Sequence, residues 1–279
     1  LEKAGIRFLL LRGPAVGIRH WRDPVLRPFG DLDLLVAPES FRAAKDALWN
    51  IGFRPDRVYA HLFVRGDVQL DLHREPLGID RIRSWARLTP LRFDELWEHH
   101  ESIVLEGCTV PVPAMERELA YLCFHALKHS FERLVWLWDI ALAARAMDED
   151  RWQAFLAFVR AMRLERPCFY ALSYAQAHLA APVPDAVLGE IRPRMGRIEA
   201  RLFARVMRHD VPPFLAERVF SRMQPGLAAK IAFWRETIWP AYEVRAQIAG
   251  SGCVKCNFIR KRLKQAARWA LDLASAPLR

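Results

Sequence analysis

Arg27-Pro28-Phe29-Gly30-Asp31-Leu32-Asp33-Leu34-Leu35-Val36 is the stretch on which the fold turns. From Asp31 it reads as a short strand. Successive strand side chains alternate faces, so Asp31 and Asp33 point one way while Leu32 and Leu34 enter the core. Two carboxylates about 7 Å apart along one strand face repel each other unless a cation sits between them. Asp-x-Asp by itself is equally at home on a solvated strand edge, so its neighbours must decide.

Upstream, residues 7–11 form a short apolar run suited to a buried strand, broken by Gly13-Pro14, with a helical turn to follow. Downstream, Pro38-Glu39-Ser40 opens a helix over 41–50, with Phe41, Ala44 and Leu48 on one face and Gly52 just past its end. Residues 58–65 and 68–75 read as strands joined through Gly66-Asp67. Val68, Leu70 and Leu72 share one face of the second strand, and Gln69, Asp71 and His73 the other. If this strand lies beside the Asp31 strand, three carboxylates converge. Oxygen ligands of that kind suit Mg²⁺ or Mn²⁺ rather than zinc. Two such ions could orient a triphosphate and stabilise departing pyrophosphate. A last hairpin is expected over 103–112 around Glu106-Gly107.

After Pro113 the period changes. Residues 115–131, 134–147, 152–163 and 167–180 repeat apolar side chains every three or four positions, which specifies helices. Further prolines divide the remainder into shorter ones. The reading is therefore α+β: a sheet-bearing domain over 1–112 and an all-helical domain over 113–279.

The chain has 279 residues, of which 52% are hydrophobic and 27% charged, enough to bury a core and unlike a disordered composition. No apolar run approaches the ~18 residues of a membrane span, so no membrane partner is expected. The formal charge is +10, and 35 of the 42 basic residues are Arg. That bias suits phosphate recognition, and equally a GC-rich coding sequence. Five cysteines at irregular spacing, with no secretory signal in view, favour a reducing cytoplasm. The opening at Leu1 reads as a helix end running into a strand, as if cut from something longer.

The order of these motifs resembles the polymerase-beta-like nucleotidyltransferase superfamily, and most closely its branch of uncharacterised nucleotidyltransferases. The resemblance rests on residues 8–13, 27–36 and 70–73, and on His125-Ala126-Leu127-Lys128-His129 leading to residues 134–140. It implies a polymerase-beta-like sheet with flanking helices. It implies that Asp31, Asp33 and Asp71 hold two Mg²⁺ or Mn²⁺ ions, and that Asp71 helps deprotonate the acceptor hydroxyl. Gly13 would let backbone N–H groups approach the phosphates. Two positions depart from the pattern: Pro14 replaces a small residue, often Ser, and removes an N–H donor, and Arg12 stands where Lys is common. Arg12 and Arg27 are candidate triphosphate clamps or surface arginines. His73 is a candidate for the metal shell or a phosphate, or an exposed strand end.

His125 and His129 share a helical face at metal-ligand spacing, but the segment lacks the Glu of a zinc-protease helix. They read as partly buried residues at the seam between helices and sheet, where Asp139 could hydrogen-bond one of them, or as contacts to nucleotide or acceptor. Cys253-Val254-Lys255-Cys256 is a lone C-x-x-C without a second ligand pair. Trp136, Trp138, Trp234 and Trp239 fall in helical apolar patterns and read mostly as core. Lys255, Arg260, Lys261, Arg262, Lys264 and Arg268 form a run without acidic residues, either a solvated helix face or a polyanion contact.

The expected activity is transfer of a nucleoside monophosphate from an NTP, such as ATP, to a hydroxyl or phosphate acceptor, with release of pyrophosphate. A small molecule, peptide or protein is the favoured acceptor. The alternatives are an RNA acceptor such as a tRNA end, as in toxin-like nucleotidyltransferases, and a non-catalytic nucleotide-binding scaffold.

Overall fold

β1 (Phe8–Leu11) pairs antiparallel with β2 (Leu32–Val36), and β2 pairs parallel with β5 (Val68–His73). The two pairings leave Asp33 with Leu11 on one side and Asp71 on the other. β4 (Leu62–Arg65) and the two-residue β3 (Arg54–Pro55) extend the sheet antiparallel, giving the order β1-β2-β5-β4-β3. The computed structural model describes residues 1–57, 59, 61–77, 83–212, 214–250 and 253–275, without the side chains of 243, 247 and 268–275. The first part of the strand expected over 58–65 therefore lies partly outside the described residues, as does the side chain of Arg268.

The sheet is covered on both faces. α2 (Phe41–Asn50) presents Ala44 and Leu48 to one face, where they pack with Val36, Leu70, Leu72, Phe53 and Phe63. Leu9, Leu11 and Leu35 turn to the other face and join a core built mainly by α4 (Met115–Lys128), α5 (Leu134–Arg145), α6 (Glu149–Ala161) and α7 (Glu165–Leu179). That core is continuous across residue 113. A hairpin of β6 (His100–Leu105) and β7 (Cys108–Pro113) turns through Glu106 and Gly107, both at positive φ, and packs Ile103 and Val112 against Leu10 and Ala15.

The alternation expected of β2 and β5 is present, with Leu32, Leu34, Leu70 and Leu72 on the α2 side of the sheet, but the polar face is covered as well. Leu32 and Leu34 are only partly buried, whereas Asp33 is 2% exposed. The carboxylate face looks onto the helical layer across a cleft, with Asp33 buried and Asp71 and His73 partly exposed. Asp31 lies in a bend just before β2 rather than within it. Expected helix ends also shift. α4 stops at Lys128 because Ser130 and Phe131 take positive φ, and α6 begins early because the Asp148 side chain accepts from the Arg151 N–H at 2.9 Å. α3 (Phe93–Trp97) and β3 carried no periodic signal, being too short for one.

Beyond α7 follow α8 (Asp185–Ile191), α9 (Arg197–Val206), α10 (Leu215–Met223), α11 (Gly226–Ile238), α12 (Tyr242–Ala249) and α13 (Val254–Ser275), so this part is all helical. Among the described residues no helix is long and apolar enough to cross a membrane. Trp136 and Trp234 pack on the core from its edge, and Trp239 is 45% exposed, so the tryptophans are less central than their periodicity suggests.

α1 (Gly13–His20) is tied to the hairpin and α4 by buried charge. Glu118 accepts from Arg19 at 3.1 Å and contacts His20 Nε2 at 2.7 Å, and Arg19 also reaches Glu101 at 3.0 Å. Burial alone would raise the Glu118 carboxyl, but His20 and Arg19 hold it below the ordinary range. A depressed native pKa contributes stability above the unfolded value of about 4.3, lost as pH falls through the native value. Glu118→Gln should therefore cost on the order of 3 kcal/mol at pH 7 and lessen the loss of stability below about pH 4, measured by urea unfolding across pH.

Candidate active site

β1, β2 and β5 end at one cleft of about 300 Å³, roofed by α4 and the start of α5. Its acidic wall comes from parallel pairing: Asp33 and Asp71 are directly opposed, and His73 follows two residues after Asp71 on the same face. Ligand atoms of Asp33, Asp71 and His73 lie within 4.8 Å of one another. Among the described residues no other set of three His, Cys, Asp or Glu groups is as close. His73 Nε2 is 2.9 Å from Asp33 Oδ1 and 3.5 Å from Asp71 Oδ2. Asp31 lines the cleft but is outside this close group.

Arg12 occupies the strained corner between β1 and α1. Its φ of 40° and ψ of −152° belong to a region non-glycine residues avoid, and Gly13 follows at φ 47°. Such a conformation costs about 1–3 kcal/mol and persists where surrounding contacts impose it. Here the contacts are a charge-assisted hydrogen bond from Arg12 Nη2 to Asp33 Oδ1, and Nη1 lying 2.9 Å from Nδ1 and 2.6 Å from Nε2 of His125. A Cβ on Gly13 would come 3.5 Å from the Asp31 carbonyl oxygen. The N-terminus of α1 has no side-chain cap, but Pro14 has no N–H and Ala15 donates its own to the Arg12 carbonyl at 2.9 Å, so Gly13 is where the backbone can approach an anion.

Electrostatics separate the carboxylates. Burial would raise Asp33, but Arg12 and His73 more than offset it and hold the group below the ordinary range. Asp31 is raised, first by burial and then by the charge of Asp33. Burial, then Arg12, pushes His125 well below the usual imidazole value, so it is a neutral acceptor. With its ring nitrogens beside a guanidinium, His125 is not placed to bind a cation, which disposes of the zinc pair. His129 lies 4.7 Å from His125 and 5.0 Å from Trp136, ring centre to ring centre.

Asp139 does not bond either histidine. It is fully buried and accepts from Arg27 through Nε at 3.0 Å and Nη2 at 2.7 Å, and from the Trp21 indole at 2.9 Å. The physical reason is competition: a bidentate guanidinium satisfies a buried carboxylate better than an imidazole can. Arg27 lines the cleft but its guanidinium is committed to α5. Periodicity could not supply Tyr121, Lys128, Arg133 and Trp136, which line the opposite wall. The available signal was positional, since a short α4–α5 link must lie at one end of α4. The C-x-x-C cysteines are exposed at the start of α13, away from the cleft lining.

The sequence profile of a family described as uncharacterised nucleotidyltransferase matches residues 1–180. The match takes in the sheet, the hairpin and α4 to α7, and by it the chain belongs to that family. No curated protein matches the chain. Asp139→Ala should lower stability by about 3–5 kcal/mol in urea unfolding, because Arg27 would stay buried and unpaired. Arg27→Met/Asp139→Leu should recover most of that loss.

Proposed function

From membership of this nucleotidyltransferase family, whose general chemistry is nucleotidyl transfer from an NTP, we propose that the cleft moves a nucleoside monophosphate onto an acceptor hydroxyl or phosphate, releasing pyrophosphate. The observation that carries the reading is the side-by-side pairing of Asp33 and Asp71 on parallel strands facing the cleft. The donor set suits a divalent cation, Mg²⁺ or Mn²⁺. Asp71 Oδ1 is buried without a hydrogen-bond partner in the described structure, and Asp33 is held ionised. An orphaned carboxylate oxygen is costly unless it meets a cation. Asp33, Asp71 and His73 would hold one ion, with Asp31 at hand for the second that two-metal transfer uses. Bound there, divalent ions neutralise phosphate charge and acidify an acceptor hydroxyl.

The chain's own groups do the positioning. The bare Cα of Gly13, at the start of α1, admits a phosphate against the backbone. Arg133 lines the cleft with no salt bridge among the described residues, and we assign it a triphosphate contact that Arg27, bound to Asp139, is less free to make. Trp136, between His129 and Arg133, offers an aromatic surface for a base. Arg12 holds Asp33 in its rotamer and charge state. Such catalysis is mostly positioning and electrostatic stabilisation.

Asp33→Asn and Asp71→Asn keep side-chain volume while removing charge. Each should reduce NTP- and metal-dependent pyrophosphate release on the order of a thousandfold, with the circular dichroism melt remaining cooperative. Undiminished release in both variants would sink the proposal. Arg133→Ala should instead raise KM for the NTP by about tenfold or more with a smaller change in kcat, as expected for a binding contact. Mass spectrometry of candidate acceptors, including the protein itself, after incubation with each NTP would identify the product.

A further inference from the structure

Most of the excess positive charge is not in the cleft. The start of α7, the link between α8 and α9, and the end of α10 converge on a concavity of about 400 Å³. Exposed Arg163, Arg192, Arg194 and Arg222 line it, and none of the four forms a salt bridge among the described residues. Of the carboxylates at the two hollows, Glu190 is paired with Arg160 and Glu199 with Arg166, and Glu165 is the one acidic side chain left against the four arginines of the first, which keeps a net positive charge. Arg222 also borders a second concavity of about 490 Å³, where Arg201 and Lys230 add two more cations without a salt bridge among the described residues. Ile198, 74% exposed, sits on its edge. The two hollows therefore form one basic surface hinged on Arg222.

We propose that this surface binds a single-stranded nucleic acid through its phosphodiester backbone. Like charges gathered without counter-charge repel one another, and a polyanion relieves that repulsion while releasing its own counterions. Guanidinium groups present planar forks that match phosphate oxygens. The hollows are concave and share Arg222, so a strand can follow them from one to the other. Of the apolar side chains in the first hollow, Leu88 and Ile191 are buried at 1% exposure and only Pro193 and Met223 are partly open, a small surface for an acidic peptide to anchor on. Ile198 and Trp234 give the second hollow apolar surface on which a base can rest.

The cationic run on α13 is the obvious competitor, but part of it serves the fold. Lys261 Nζ donates to the Ile248 carbonyl at 2.7 Å, and Arg262 donates to the Thr237 carbonyl at 3.0 Å. The proposal is independent of nucleotidyl transfer, so it is tested without NTP and with chelator present.

The full chain is titrated into a fluorescein-labelled, mixed-sequence single-stranded RNA of about 20 nucleotides, and anisotropy is read across NaCl concentrations. The wild type should bind with an affinity that falls linearly on a log–log plot against salt. Arg192→Ala/Arg194→Ala/Arg222→Ala should weaken binding by about tenfold or more and lower the salt slope by about 2, the loss of three single-strand phosphate contacts. Lys255→Ala/Lys264→Ala on α13 should leave it within about twofold. Should the alanine triple fail to fold by circular dichroism, the Arg-to-Lys triple at the same positions decides. It should keep the slope while losing affinity severalfold, because a point charge replaces the fork. Equal binding of single-stranded DNA, or preference for RNA, each supports the proposal and names the strand. Absence of binding at low salt, a loss carried by the α13 variant alone, or displacement of the RNA by poly-glutamate at equal charge would overturn it.

Discussion

A carboxylate that is 2% exposed cannot be left alone, and the arrangement of Asp33 governs much of what surrounds it. Moving an ionised group out of water costs several kcal/mol unless charge and hydrogen bonds are supplied in place. Here Arg12 and His73 supply them, from β-strand ends on either side of β2. Arg12 can reach Asp33 only from the corner after β1, where it tolerates a positive φ, and the same corner starts α1 at Gly13. His125 must then be neutral, because a second cation against Arg12 would undo the compensation. One buried charge thus links the sheet register, a strained turn, the entry of a helix and the protonation state of a residue on α4.

The same constraint explains why the site is asymmetric. Asp31 and Asp33 are chemically identical and two residues apart, yet burial and its neighbour's charge raise Asp31 while Asp33 is lowered. Asp71, beside Asp33 across a parallel ladder, keeps a buried oxygen without a partner. The cleft thus offers a carboxylate already neutralised by protein, one with an unspent oxygen, and one that binds a proton more readily. On the proposed reading, a cation entering the cleft would be drawn first to the unspent oxygen and would compete with Arg12 for Asp33.

Period-two alternation in β2 and β5 was enough to place Asp33, Asp71 and His73 on one face, and the change of period after Pro113 separated sheet from helices. These features were legible because they are local: each depends on side chains a few residues apart. What the alternation could not convey was what covers each face. Polar residues on a strand ordinarily signal solvent, whereas here they signal the helical layer, and only the packing of α4 over the sheet shows it. Pairings between distant segments were equally hidden. Arg27 and Asp139 are 112 positions apart, and nothing near either residue favours that partner over a phosphate or a histidine. Arg133 is a non-periodic residue in a link, and short elements such as β3 and α3 leave too few residues to establish a period.

The positive charge divides by what it neutralises. Arg12, Arg19 and Arg27 are spent on buried carboxylates, so they stabilise the arrangement and add little to the field outside. Arg163, Arg192, Arg194, Arg201 and Arg222 form no salt bridge among the described residues, and their field reaches solvent. A salt bridge inside the protein is screened little by ions, while an exposed cluster is screened over about 8 Å at physiological ionic strength. Fold stability and partner binding should therefore respond to salt in different ways, the first weakly and the second steeply. The Arg bias of the composition serves both roles for one reason: a guanidinium stays charged when buried, and it meets carboxylates and phosphates with the same planar fork.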